Sequence, residues 1–436
     1  MRARRSGILA ALVAIVVVAG AGPTWAATVI SETTWGGPAA EVTAAAAVAP
    51  DGATYLTGFT TSFDPFGQDQ IFLVRFGPDG SLSWQRTWEG PDQFGLDRGT
   101  DVAVAPDGSV YVTGSTLGVR GDAVLLKFSP EGTLLWQRRW DGGATERGEG
   151  VAVGSDGSVY VTGGTNSFGD SHLFVLRFAP DGTLTWQRLW GPATGQGIAV
   201  GPDGTLSVAG VAARPGATFG FDIVLLKLDP AGTLLWQRAY SAAEIVDARG
   251  GLTVASDGSI YVAGTVQEAA QKVVVDAVLV KFGPDGGLLW DRAWGGRSGD
   301  TGEGVTVLPD GSPVLAGNSN SFGAGSDDAF VLRASAGGRG LDANTWGGTG
   351  IDHADDVELG PAGTITVGAT TENPPPYVFQ RASTRLSRLR GTVATPANAL
   401  LNATGSVADP AGTTAIPAGS TTFAGGIEAA VVRIAP

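Results

Sequence analysis

DAVLLKFSPEGTLLWQRRW, from Asp122 to Trp140, holds an apolar run, a tight Pro-acid-Gly turn and a second run that closes on two Trp. Apolar runs split by a short turn of this kind form antiparallel strands, so the stretch reads as a β-hairpin. DAVLVKFGPDGGLLWDRAW, from Asp276 to Trp294, is a second copy, and further copies recur along almost the whole chain. The recurrence defines a repeat protein.

A second hairpin completes each unit. VAVAPDGSVYVTG, Val102 to Gly114, places two alternating runs around a turn at Gly108. Equivalent glycines stand at Gly52, Gly108, Gly157, Gly204, Gly258, Gly311, Gly363 and Gly412, at spacings of 56, 49, 47, 54, 53, 52 and 49 residues. That period is the length of a four-stranded propeller blade. Eight turns predict an all-β, eight-bladed β-propeller of four-stranded antiparallel blades. The last copy stops at Val431 to Pro436 without its fourth strand, and Val29 to Trp35, VISETTW, resembles the missing piece. The N-terminal strand is therefore expected to complete the C-terminal blade, leaving no free sheet edge there. Around Tyr377 to Val393 the Trp pair is gone and Pro374, Pro375 and Pro376 intrude, so a seven-bladed ring with an irregular insertion is the alternative.

Met1 to Ala26 carries Arg2, Arg4 and Arg5, then an apolar run from Ile8 to Ala19, then small residues ending at Ala26. This is the order of a secretory signal peptide, and the run is too short for the ~20 residues of a membrane-spanning helix. Cleavage near Ala26 would leave 27–436 as a single propeller domain, secreted or periplasmic. The Arg4-Arg5 pair hints at twin-arginine export, but such pairs are common in ordinary leaders and the general route is favoured. Without the three leader arginines the net charge is −17. An acidic surface repels phosphate backbones, which argues against nucleic acid. With no Cys and only the initiator Met, disulfides, thiolate metal sites and cysteine nucleophiles are excluded. A monomer without a membrane span is expected.

Asp122 to Gly163, with its Asp-Ala-x-x-x-Lys-Phe opening, Pro-x-Gly turn, Leu-Leu-Trp strand and Val-Tyr-Val-Thr-Gly close, resembles the SBBP β-propeller repeat of bacterial exported proteins. The likeness extends over nearly all of 27–436. It implies the propeller fold and little about activity, since such repeats are scaffolds without a shared catalytic motif.

Repeated features read as structural. The outer strands carry Trp-x-Arg-x-aromatic, as in Trp136/Arg138/Trp140, which places each Arg between two rings for cation–π stacking. Arg75, Lys127, Arg177, Lys227, Lys281, Arg333 and Arg433 recur in the third strands and need partners; turn aspartates such as Asp107 for Lys127 are the expected ones. Function is expected on the face of the long, unlike connections, because variable loops on a rigid scaffold carry binding. Phe66, Phe219, Gln267 and Lys272 are the candidate ligand-binding residues there. Asp101, Glu149, Glu303, Asp355 and Asp356 are expected at the channel mouth, where a ring of carboxylates could hold Ca2+; no local string gathers the ligands, so the expected state is without a cofactor. His172 and His353 fall in blades three and seven, on opposite sides of the ring, which argues against a triad or zinc site.

Three function classes remain. An exported scaffold binding a protein, glycan or cell surface through the long-loop face is favoured. A quinoprotein-like dehydrogenase or polysaccharide-active propeller enzyme is the second, with no catalytic residue identified, and a structural envelope protein is the third.

Overall fold

The computed structural model describes residues 29–434 except 92–94, 118–120, 215–219, 243–244, 249–250, 268–273, 373–377, 383–385, 411 and 416–427. Seven antiparallel sheets surround a central channel, each stepping outward from an inner strand. Blade one is Glu41–Val48, Thr54–Thr60, Gln70–Phe76 and Leu82–Glu89. Blades two to six follow in register, starting at Leu96, Glu146, Thr194, Ile245 and Asp300. Their third strands are apolar almost throughout, as in the fully buried Gly121–Phe128, because both sheet faces press on neighbouring blades. The core is thus a set of layers between blades.

Blade seven joins the two ends of the chain. Asp352–Leu359 and Ile365–Thr371 are followed in the sheet by Glu428–Ile434 and then Val29–Trp35, with Trp35 opposite Ala429 and Val29 opposite Ile434. The N-terminal strand completes the C-terminal blade, but the ring has seven blades and not the eight that the spacing of turns predicts.

The stretch that reads as a further blade is a belt. Beyond Thr371 the chain runs backwards around the rim and adds a short fifth strand to six blades in turn. Val378–Ala382 pairs with blade six, Leu386–Ser387 with five and Thr392–Ala394 with four. Leu401–Asn402 then pairs with blade three, Ser406–Ala408 with two and Thr413–Ala415 with one. The belt lacks the apolar runs and Trp pair that bury a strand on both faces, so it pairs with backbone edges that would otherwise be open. Gly412 is no hairpin turn. The seven true turn glycines sit at φ 78 to 83°, the left-handed region that favours glycine, whereas Gly412 is absent from that set and lies against the Trp88 ring. Gly405 lies likewise on Trp140, and Gly391 on Tyr240; a Cβ at any of the three would overlap the ring.

A relay connects blade, next blade and belt. Trp88, Trp140 and Trp190 donate their indole N–H to Gln137, Gln187 and Gln237 of the following blade at 2.7 to 2.8 Å. Each of those amides donates onward to the belt: Gln137 to Asp409, Gln187 to the Gly405 carbonyl, Gln237 to the Pro396 and Asn398 carbonyls. At the next joint both partners change together. Tyr240 replaces the Trp and donates to Asp291, which also accepts the belt N–H of Gly391 at 2.6 Å.

The turn face is stitched by the repeated cations and Trp. Trp84, Trp136, Trp186, Trp236 and Trp290 each donate to a carbonyl in the next blade's second turn, at 2.8 to 3.2 Å. The neighbouring Arg stacks on that first Trp, 5.2 to 5.6 Å from the ring centroid, and reaches the same turn. It does not lie between two rings, since the second Trp is turned into the Gln relay. Of the third-strand cations, Arg75, Arg177, Lys227 and Arg333 meet Asp51, Asp156, Asp203 and Asp310 within 4.0 Å. Lys127 instead lies over the Tyr111 ring and donates to Pro180, with its charge still lowering Asp107. Arg433 donates to turn carbonyls of blade one.

Candidate functional site

The channel is a cavity of about 650 Å³ lined by inner-strand residues of all seven blades. The inner strands of blades one to four, six and seven each carry their lining through a bulge, as at Gly99/Asp101, Gly195/Gly197 with Gln196 between, and Ala354/Asp356, whereas that of blade five is in two pieces, Ile245–Asp247 and Leu252–Val254. A bulge aims an extra side chain inward. Asp101, Glu149, Glu303, Asp355, Asp356 and Glu358 all line the cavity, and no Lys, Arg or His is among its described lining residues. The acids therefore stand along the channel wall, within the strands, and not ahead of them at the mouth.

Two of these carboxylates work as stitches. Asp101 accepts the N–H groups of Val102 and, across the joint, Val151, both at 2.7 Å. Asp356 does the same with Val357 and Ala46. Burial pushes Asp101 up to about 8, against those hydrogen bonds. Burial likewise pushes Asp355 up to about 7 and Asp356 to about 6, and raises Glu358 well above the carboxylate range. His353 pairs with Asp327 at 2.9 Å. Burial depresses its imidazole, but the Asp327 bond and the charges of Asp355, Asp327 and Glu303 outweigh that and raise it overall.

The proposed loop residues are scattered. Phe66 is 75% exposed in the Thr60 to Asp69 connection, its N–H held by Asp64. Gln267 ends the strand Ile260–Gln267 of blade five, half-buried and across the ring from blade one. Phe219 and Lys272 lie outside the described residues. Phe63 and Phe322 are loop anchors, packed on Trp35 and Trp294 at 5.8 and 5.3 Å.

Among the described residues, three carboxylates placed to share one ion are not channel acids but Asp122, Asp141 and Glu146, at the joint of blades two and three. Sequence reading missed them because they come from two repeats. A partial signal existed: Trp-Gly-Gly opens the connectors at Trp35, Trp294 and Trp346, whereas Trp140 is followed by Asp141 and Trp88 by Glu89.

The fold and this acid-lined channel define a seven-bladed β-propeller. A family described as a β-propeller domain of unknown function, DUF5122, matches residues 154–184 in blade three. No curated protein matches the chain. Similar solved structures include a Bacteroides caccae protein of unknown function, 16% identical over 57% of this chain and 80% of that one, with a TM-score of 0.37. A polysaccharide lyase is 11% identical over 91% and 98% with a TM-score of 0.48, and a glucose dehydrogenase 12% identical over 79% and 96% with 0.38. No helix of the described residues is long and apolar enough to cross a membrane.

Proposed function

We propose that the protein is an exported binding scaffold that docks a protein or glycan on its long-connection face and takes a positively charged group of that partner into the channel. The observation that carries this reading is the lining of six carboxylates, with no basic side chain among the described lining residues. Carboxylates held together with raised pKa values favour a cation that cancels their repulsion. The turn face offers less, because its Trp, Arg and carbonyl groups are spent on joining blades. The leader-like segment 1–26 and the likeness to SBBP repeats support export.

Calorimetric titration of the mature chain with oligolysine and with amino-sugar oligosaccharides, against neutral oligosaccharides, tests the proposal. Binding that weakens with salt and falls tenfold or more in Asp355→Asn and Glu303→Gln is expected. Binding untouched by those changes, yet abolished by altering Asp107 and Asp257 of the turn face in a folded protein, would put the working face at the other end of the ring.

A further inference from the structure

Four blade joints on the long-connection face are organised around an acid at or next to the start of an inner strand. Glu41, Asp97, Asp300 and Asp352 each spend one carboxylate oxygen on the N–H of a connector glycine, respectively Gly37, Gly90, Gly296 and Gly348, at 2.6 to 3.0 Å. Glu146 departs from this pattern. Its Oε1 accepts the hydroxyls of Thr165 and Ser167, but its Oε2 has no hydrogen-bond partner, and the residue is 0% exposed. A buried carboxylate oxygen without a donor is costly. Two further acids lie beside it: Asp122, 5% exposed, at a third-strand position where other blades carry Asp222, Asp276 and Asp328, and Asp141, where two other joints carry Gly295 and Gly347 and the joint of blades one and two carries Glu89.

We propose that Asp122, Asp141 and Glu146 bind a hard divalent cation, Ca2+, at the joint of blades two and three. One oxygen from each lies within 4.8 Å of the others. A common point is then no more than about 2.8 Å from all three, and small side-chain adjustments reach the 2.3–2.6 Å of Ca–O bonds. Charge agrees. Arg139 sits 3.2 Å from Asp122, so three carboxylates and one guanidinium leave two negative charges for a divalent ion to cancel. The ion would tie strands three and four of blade two to the inner strand of blade three, where glycine N–H groups do the tying elsewhere. The inference is independent of the channel, whose acids belong to other strands.

The test is calorimetric titration of the EDTA-treated mature chain with CaCl2, paralleled by Tb3+ luminescence sensitised through the adjacent Trp140. One ion per chain is expected, in the micromolar to millimolar range of extracellular sites. Asp141→Gly, which installs the residue found at Gly295 and Gly347, should keep the calcium-free Tm and weaken binding at least tenfold; Glu146→Gln should do likewise. Asp355→Asn in the channel should leave binding unchanged. Absence of heat and of sensitised emission at about 10 mM Ca2+, tenfold above the weakest such sites, overturns the proposal. So does binding that persists in Asp141→Gly or that disappears only in Asp355→Asn. Should Glu146→Gln fail to fold, Asp141→Gly decides alone.

Discussion

Residues 372–427 and an ordinary blade have about the same length and opposite ways of being held. A blade strand such as Gly121–Phe128 is buried on both faces; a belt strand such as Ser406–Ala408 has three residues, two of them exposed, and pairs along one edge. The blade is secured by burial. The belt is secured by outer-edge pairing, by glycines seated on Trp88, Trp140 and Tyr240, and by the amide relay. The difference teaches that a repeat length marks a blade only when the aromatic pair accompanies it.

The sharpest way to break this comparison is to remove one ring from the blade side. Trp140→Ala should cost about 3–5 kcal/mol in denaturant unfolding, because a fully buried Trp leaves a large cavity. Gly405→Val, which pushes the belt off the same ring, should act differently: proteolysis within the belt should rise sharply while the global midpoint falls less. Equal losses of global stability from both would mean that belt and blades are one cooperative unit.

Next in size is Gln187→Leu. The change strands the Trp140 indole N–H and the Gly405 carbonyl at once, and about 1–3 kcal/mol per buried unsatisfied group sets the expected loss. Native-state hydrogen exchange should show belt amides near Leu401 and Ser406 exchanging faster, with the blade-three interior unchanged. A smaller effect sharpens the role of the relay. Trp294 faces Ala343 at the register where other blades carry Gln, and its indole N–H has no partner among the described residues. Trp294→Phe should therefore cost about 1 kcal/mol less than Trp140→Phe.

The smallest effect contrasts acids held inside the ring with acids on the turns. Asp107, Asp156 and Asp257 are lowered, chiefly by the N–H two residues on, so the stability they add is present above the unfolded carboxylate range and lost as pH falls through it. Asp101, Asp355, Asp356 and Glu358 are raised, so the fold binds extra protons and loses stability as pH rises from about 4 to about 8. The raised His353 has the same sign. A Tm maximum at mildly acidic pH is expected, and Glu358→Gln should raise the Tm at pH 8 with no gain near pH 4. A Tm that climbs steadily from pH 5 to 8 would contradict the assignment of raised channel acids.

Blade register, turn glycines and the closing strand Val29–Trp35 were legible because each rests on local chemistry: alternation, a left-handed turn, an unmatched partner. The belt was not, because edge pairing uses backbone groups and leaves no side-chain period, and its length matched a blade's. Gly412 looked like a turn for that reason. The channel acids could be named from their place in the repeat, although not their position at bulges within the strands. Asp122, Asp141 and Glu146 escaped notice because they gather only when two consecutive repeats are laid side by side.

Val29 lies opposite Ile434, and the belt crosses blades six to one before Glu428 enters its sheet. Chain order therefore sets apart one blade from the other six. Blades one to six can form from neighbouring segments, whereas blade seven needs both ends of the chain, so Val29–Trp35 lacks its partner until Glu428–Ile434 is in place. Contacts spanning almost the whole chain are slow to form, so closure of the ring is expected late in folding, with the edge of Val29–Trp35 open to wrong partners until then.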